Sequence, residues 1–271
     1  MTDRISRAFY DIGRLEIIAD QDSFVHRLDP RAKLLVTVFF IIAVVSFDRY
    51  AVAGLVPFFL YPAAIIGLAG LPVGYLLRKL LIVSPFVLCI GIFNPFLDRE
   101  IMVNLGPLAV SGGWVSFTSL ILRFILTIGA ALILIATTGF PKVCMALEQL
   151  GAPRVLAVQL LLLYRYLFVL IEESIRMIRA HALRSFSRRR PGFRVYTQLL
   201  GNLLLRTLDR AERIHLAMLS RAFTGEIRTV RHFTFGRAEL LFTLTAAASF
   251  LLFRTIPVAE LLGGLLLEIS L

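Results

Sequence analysis

The chain has few of the residues that cover the surface of a soluble enzyme. Only 17% of its 271 residues are charged, whereas soluble domains have about 25%. Its two cysteines, Cys89 and Cys144, are too few for a disulfide framework and too far apart in the sequence for a metal-ligand pair. We therefore expect both to be buried small apolar residues, and the composition excludes an ordinary soluble enzyme.

Motifs that would carry chemistry are also absent from the sequence. It has no Gly-x-x-x-x-Gly-Lys-Ser/Thr loop for ATP and no His-Glu-x-x-His pair for zinc, and its four histidines are scattered. The first thirty residues are polar and mixed in charge, unlike a cleavable signal peptide. The sequence thus predicts no catalytic, cofactor or metal site in this chain, and membrane insertion through internal spans.

Apolar residues are in excess, at 58% of the sequence with a mean hydropathy of +0.82. Soluble domains contain about 45–50%, and a bilayer is the common environment that accommodates such an excess. We predict an all-α, polytopic helical membrane protein with about five transmembrane helices. The apolar runs that predict them cover residues 34–47, 51–70, 80–97, 114–140 and 240–253.

The net charge of +11 is confined to one segment. Residues 176–237 contain 14 arginines, no lysine and three acids, and the rest of the chain is neutral. Because Lys and Arg favour the cytoplasmic side of membrane proteins, we predict four regions. These are a cytoplasmic segment 1–33, transmembrane helices 1–4 in 34–140, a cytoplasmic or interfacial coupling-helix region 141–237, and a C-terminal transmembrane helix and tail 238–271.

Two long helices are predicted within the basic region. No Gly or Pro occurs between Arg154 and Pro191, and a second helix is expected from about residue 194 to 222. The second helix is amphipathic, which favours a membrane surface or an acidic protein as its partner. No nucleic-acid recognition motif accompanies the arginines. The stripe that defines its apolar face consists of Leu200, Leu204, Leu208, Ala211, His215, Met218 and Ala222.

The two predicted helices end in similar tripeptides. Leu183-Arg184-Ser185 ends the first and Ser220-Arg221-Ala222 the second, at a spacing of 37 residues. A guanidinium flanked by small residues suits a carboxylate-lined groove on a partner. An arginine at a helix C-terminus is equally well explained by the helix dipole or by lipid headgroups, so both interpretations stand on physical grounds.

These tripeptides resemble the paired X-Arg-X motifs of the T component of energy-coupling factor (ECF) transporters, in which X is usually Ala, Gly or Ser. Leu183 departs from that pattern. Two further segments resemble motifs of the cobalt/nickel subgroup, the CbiQ type: Asn94-Pro95-Phe96 and residues 164–168. Residues 28–34 are similar to the N-terminal signature of the family through Asp29, Pro30, Arg31 and Lys33.

The resemblance implies a non-enzymatic subunit of an importer in the bacterial cytoplasmic (inner) membrane. Two ABC-type ATPase subunits would bind ATP and Mg, and this chain would hold no cofactor. Arg184 would dock on one ATPase and Arg221 on the other, with Leu183, Ser185, Ser220 and Ala222 shaping the fit. The signature residues Asp29, Pro30, Arg31, Lys33, Asn94 and Pro95 would have a structural role in coupling.

The resemblance also implies a cargo and a further membrane partner. ATP-driven closure would move the coupling helices and reposition a substrate-binding S component for cobalt or nickel, CbiM-like, with a small CbiN-like subunit as an optional addition. Membrane lipid is the remaining expected partner. A T component shared among several vitamin-binding subunits is the main alternative, and neighbouring genes would distinguish the two. A polytopic membrane enzyme is a distant alternative, because clustered intramembrane acids, His or Cys are lacking.

Overall fold

The computed structural model describes residues 13, 15–97, 101–105, 108–184, 192–225 and 236–255. Ser185 and the arginines at 188–190 lie outside this part of the chain, as does the C-terminal tail. The chain divides into two compact units. The membrane unit comprises residues 18–139 and 233–271, and the helix-pair unit comprises residues 1–17 and 140–232.

In the described part of the membrane unit, the regular secondary structure is helical apart from one hairpin. Its helices are α1 (Phe24–Arg27), α2 (Pro30–Val45), α3 (Val52–Leu55), α4 (Leu60–Ala69), α5 (Val73–Gly91), α6 (Asn94–Leu97), α7 (Gly112–Thr138) and α11 (Arg237–Thr255). A 3₁₀ turn, Val56–Phe59, joins α3 to α4. The hairpin pairs β1 (Ile101–Leu105) with β2 (Leu108–Ser111) in antiparallel fashion.

The core of the membrane unit is built on α2, which packs against α7 and α11. Phe40 of α2 is fully buried, and its ring lies 5.3 Å from that of Phe250 of α11 and 4.7 Å from that of Tyr61. Phe58 and Leu126 are also fully buried in this cluster. Such close aromatic packing fixes the helices relative to one another more firmly than an unspecific apolar contact would.

Two arginines bind the backbone just beyond the end of α2. Arg254 of α11 donates a hydrogen bond to the Ser46 carbonyl at 2.9 Å, and Arg123 of α7 donates to the Asp48 carbonyl. Carbonyls at a helix C-terminus lack intrahelical partners and attract positive charge. Arg123, an ionisable residue within a long apolar helix, is thus bound by the protein itself.

Five helical segments in the described part of the chain are long and apolar enough to cross a membrane. The predicted number is thus confirmed, but the set differs. The first apolar run forms α2, whose 16 residues extend only about 24 Å and fall below the length needed. The five segments are Val52–Ala69, Val73–Gly91, Gly112–Thr138, Arg154–Arg184 and Arg237–Thr255.

Two smaller expectations are wrong. The third apolar helix, expected from residue 80, begins at Val73 instead, so that α5 contains Arg78 and Lys79. The Lys79 ammonium lies 5.4 Å from the centroid of the Tyr75 ring on the same helix, so its charge is accommodated within α5. Cys89 is exposed within the chain because little of α5 is covered by other helices, whereas Cys144 is buried as expected.

The helix-pair unit contains α8 (Phe140–Gln149), α9 (Arg154–Arg184) and α10 (Phe193–Leu219). Burial raises the pKa of the Cys144 thiol of α8. The absence of Gly and Pro accounts for the 31 residues of α9, which extend about 46 Å. Both predicted long helices are confirmed, although α10 ends at Leu219, three residues earlier than expected.

Candidate coupling site

Helices α9 and α10 form an antiparallel pair. The C-terminal half of α9 faces the start of α10, and its N-terminal half faces the end of α10. No residue of α10 is fully buried, and the half-buried side chains that face α9 include Leu199, Leu203, Ile214 and Met218. Three residues of the predicted apolar stripe, Leu200, Leu204 and Leu208, are more than half exposed, so α9 leaves them largely uncovered, and their contact with a membrane surface stays a prediction.

Glu173 links the two helices electrostatically. Its carboxylate accepts hydrogen bonds from Arg176 on α9 and from Arg206 on α10, each at 2.8 Å. Glu173 is not among the residues predicted for this site from the sequence. The available signal was an acid at the apolar-to-basic boundary of α9, close to the only segment with a net charge.

Arg184 lies in a polar groove at one end of the pair. The groove is lined from α9 by Glu173, His181 and Arg184, and from α10 by Asn202 and Arg206, among others. Leu183 beside it is 85% exposed. As the last described residue of α9, Arg184 also lies at the negative end of that helix dipole.

Arg221 lies at the other end, on a tightly closed C-terminal turn. The Phe223 N–H bonds the Met218 carbonyl at 3.0 Å, and the Ala222 N–H bonds the Leu219 carbonyl at 3.0 Å. Ala222 has a φ of +55°, so the turn is of the Schellman type, in which a small residue is favoured at the left-handed position. This conformation gives a physical reason for a small residue immediately after Arg221.

The two arginines of the predicted docking motifs are far apart. Arg184 lies beside the α10 residues Leu199 and Asn202, and Arg221 follows the opposite end of α10. The 22 residues between positions 199 and 221 correspond to roughly 33 Å of helix. Both Arg184 and Arg221 are exposed, so the arrangement presents two separate cationic points rather than one patch.

The signature residues lie in the membrane unit instead. The Asp29 carboxylate accepts from the Arg31 N–H at 2.8 Å and caps α2, with Pro30 at its first position. Lys33 is buried and donates to the Thr137 carbonyl at 2.9 Å, in the last turn of α7. Asn94 of α6 donates to the Ser116 hydroxyl of α7 at 3.3 Å.

Two of these residues connect helices. Lys33 joins the start of α2 to the end of α7, and Asn94 joins α6 to the start of α7, whereas Asp29 only caps α2. Their role in coupling stays a prediction. Pro95 follows Asn94 in the short helix α6. Among the described residues, no group of three or more His, Cys, Asp or Glu side chains is placed to hold a metal ion.

The fold and this site together define a multi-pass helical membrane protein that carries a basic, amphipathic helix pair. A family model described as "Cobalt transport protein" (CbiQ) matches residues 21–233. The chain therefore belongs to the CbiQ cobalt transport protein family.

Curated relatives are consistent with this membership. The chain is 31% identical over 223 residues to the energy-coupling factor transporter transmembrane protein EcfT of Thermotoga maritima, covering 76% of this chain and 79% of that protein. It is 25% identical to EcfT of Thermosediminibacter oceani, covering 75% and 82%. It is 27% identical to the cobalt transport protein CbiQ of Salmonella typhimurium, covering 48% and 62%. These relatives are transport components rather than enzymes.

Proposed function

We propose that this chain is the transmembrane coupling subunit of an ECF-type importer in the bacterial cytoplasmic membrane. The observation that carries the proposal is the pair of exposed arginines, Arg184 and Arg221, at opposite ends of one basic helix pair. A spacing of about 33 Å along the helix suits two separate protein partners better than one. In this proposal the N-terminus and the helix pair face the cytoplasm, so α9, although long and apolar enough to cross a membrane, lies at the cytoplasmic membrane surface instead.

The partners are two ABC-type ATPase subunits and a substrate-binding membrane subunit. Each guanidinium enters a carboxylate-lined groove of one ATPase, where its planar fork binds two oxygens at once. Closure of the ATPases on ATP draws the two arginines together and bends or shifts α9 against α10. The ATPases supply the ATP and Mg sites, and this chain transmits the motion to the substrate-binding subunit.

Charge reversal at both arginines tests the docking assignment. We expect Arg184→Glu with Arg221→Glu to abolish co-purification of the ATPases and uptake, while the protein still inserts. Each single variant should retain partial ATPase recovery, because one arginine remains. The control is Arg179→Glu with Arg194→Glu, which makes the same change in charge at two exposed positions of the same helices. Normal ATPase recovery in the first double variant would refute the assignment.

The proposed cargo is cobalt or nickel. The support is the family description and the likeness to a cobalt transport protein, while the likeness to EcfT proteins favours the second candidate, a T component shared among vitamin-binding subunits. Subunits recovered with this chain from native membranes decide between them. The isolated chain should show no ATP turnover and no sub-micromolar cobalt site, and either activity would contradict a transmitter role.

A further inference from the structure

An open apolar groove of about 460 Å³ runs between α9 and α10 near the end of α10. Its walls are almost wholly hydrocarbon, and Phe223 closes it next to the turn that carries Arg221. The groove is lined by Leu162, Tyr166, Val169, Leu170, Ala211, Ile214 and Met218, among others.

A basic groove adjoins this apolar one without a break. Leu170, Thr207 and Arg210 line both grooves, and Arg206 and Arg213 line the basic one. Glu173, the acid in the basic groove, is already bonded to Arg176 and Arg206. Arg210 and Arg213 therefore leave a net positive charge where the basic groove meets the apolar groove.

The polarity of α9 changes beside the point where the apolar groove meets the basic groove. From Val155 to Ile171 only Gln159 and Arg165 interrupt an apolar sequence, and Glu172 and Glu173 then begin the charged half. The apolar half meets the length and composition of a membrane-spanning helix only together with its flanks. A ligand that occupies both grooves must be apolar beside Leu162 and Tyr166 and anionic beside Arg210 and Arg213.

We infer that this composite groove is a binding site for one anionic phospholipid. The acyl chains lie along Leu170, Ala211 and Ile214, and the phosphate binds Arg210 and Arg213 through charge-assisted hydrogen bonds. A soluble anion would use only the basic groove, and an apolar helix from a partner would leave Arg210 without a counter-charge. The site places lipid beside the turn of Arg221, so lipid occupancy stiffens one docking end of the pair.

The test measures lipid binding to the delipidated full-length chain in neutral detergent. Short-chain phosphatidylglycerol and phosphatidylcholine are titrated separately and read by native mass spectrometry, with inorganic phosphate as a third probe. We expect phosphatidylglycerol to bind at least tenfold more tightly than phosphatidylcholine, and phosphate to compete poorly. Equal binding of the two lipids, or full competition by phosphate, would overturn the proposal.

Two variants separate the halves of the site. Arg210→Gln with Arg213→Gln removes the headgroup partners, and Ala211→Trp fills the apolar groove without changing charge. Each should weaken phosphatidylglycerol binding at least tenfold. If only the arginine variant does so, the lipid adsorbs to a charged surface and the site does not exist. Ala211→Leu is a milder filling variant in case the tryptophan prevents folding.

Matched controls use the same substitutions elsewhere on the helix pair. Arg179→Gln with Arg194→Gln removes two exposed arginines outside the groove, and Leu204→Trp enlarges an exposed apolar residue of α10. Neither should change lipid affinity. The lipid-binding test leaves Arg184 and Arg221 intact. The lipid site can therefore be refuted while the docking assignment holds, and the docking assignment can be refuted while the lipid site holds.

Discussion

The two units of the chain differ in how tightly each is packed internally. The membrane unit has a core of fully buried aromatic and aliphatic side chains, including Phe40, Phe58 and Leu126. The helix pair has no buried residue on α10 and only Ala157 and Val158 buried on α9. The membrane unit therefore supplies its own packing, whereas the helix pair leaves apolar surface for lipid or protein partners to cover. A transmitting element benefits from such a design, because a weakly packed pair can change its angle at small cost.

Truncation of the central aromatic residue should have the largest effect. Phe40→Ala removes a ring that contacts Phe58, Tyr61 and Phe250, and we expect it to lower the free energy of unfolding by about 3–5 kcal/mol. Leu204→Ala on α10 should cost less than about 1 kcal/mol, because Leu204 is already 60% exposed. Chemical unfolding in mixed micelles measures both values.

If Phe40→Ala and Leu204→Ala lowered the free energy of unfolding by similar amounts, the two units would not differ in packing as described. Hydrogen exchange read by mass spectrometry adds a second measure. Phe40→Ala should raise exchange in α2, α7 and α11, whereas Leu204→Ala should leave those helices unchanged.

Removal of the buried lysine should have the next largest effect. Lys33→Met deletes the hydrogen bond to the Thr137 carbonyl and leaves that buried carbonyl without its charged donor, at a cost of about 2 kcal/mol. Arg78→Met, which removes an exposed cation from α5, is the control and should be nearly neutral. An unfolding free energy equal to that of the wild type would show that the Lys33 contact contributes nothing.

The sequence predicted those parts of the molecule that depend on local signals. The lack of Gly and Pro predicts the length of α9. The contact between Lys33 and Thr137 joins residues 104 positions apart, and no local pattern encodes it. The starts of α2 and α5 were placed too late, at residues 34 and 80, because each helix begins with residues outside the apolar run, at Pro30 and Val73.

For the candidate site, only the positions of the predicted residues can be compared with the structure, and their docking role stays a prediction. The spacing of the two X-Arg-X tripeptides identified Arg184 and Arg221, and the structure places both at exposed ends of one helix pair. Ser185 lies outside the described residues. The groove and the pairing of Glu173 with Arg206 could not be predicted, since both depend on how α9 packs against α10. The left-handed conformation of Ala222 also required the structure, because alanine rarely adopts it.

Ala222 provides a smaller test confined to the helix pair. Ala222→Gly should stabilise the turn by about 0.5–1 kcal/mol, because glycine adopts a positive φ without a Cβ penalty. Ala222→Val should destabilise it, since a β-branched residue is strained there. Amide exchange of residues 216–225 measures both effects. The reverse order for glycine and valine would contradict the Schellman turn and the reason given for a small residue after Arg221.

The smallest global effect is expected at the ion pair between the two long helices. Glu173→Gln removes a carboxylate whose partners, Arg176 and Arg206, are 60% and 63% exposed, and exposed pairs contribute less than about 1 kcal/mol. The unfolding free energy should hardly change, but the distance distribution between spin labels at positions 177 and 202 should broaden. The control is Glu172→Gln on the exposed side of α9, which should leave the distribution unchanged. If Glu173→Gln instead destabilised the whole chain by several kcal/mol, the helix pair would be as tightly integrated as the membrane unit, and the contrast between the two units would fail.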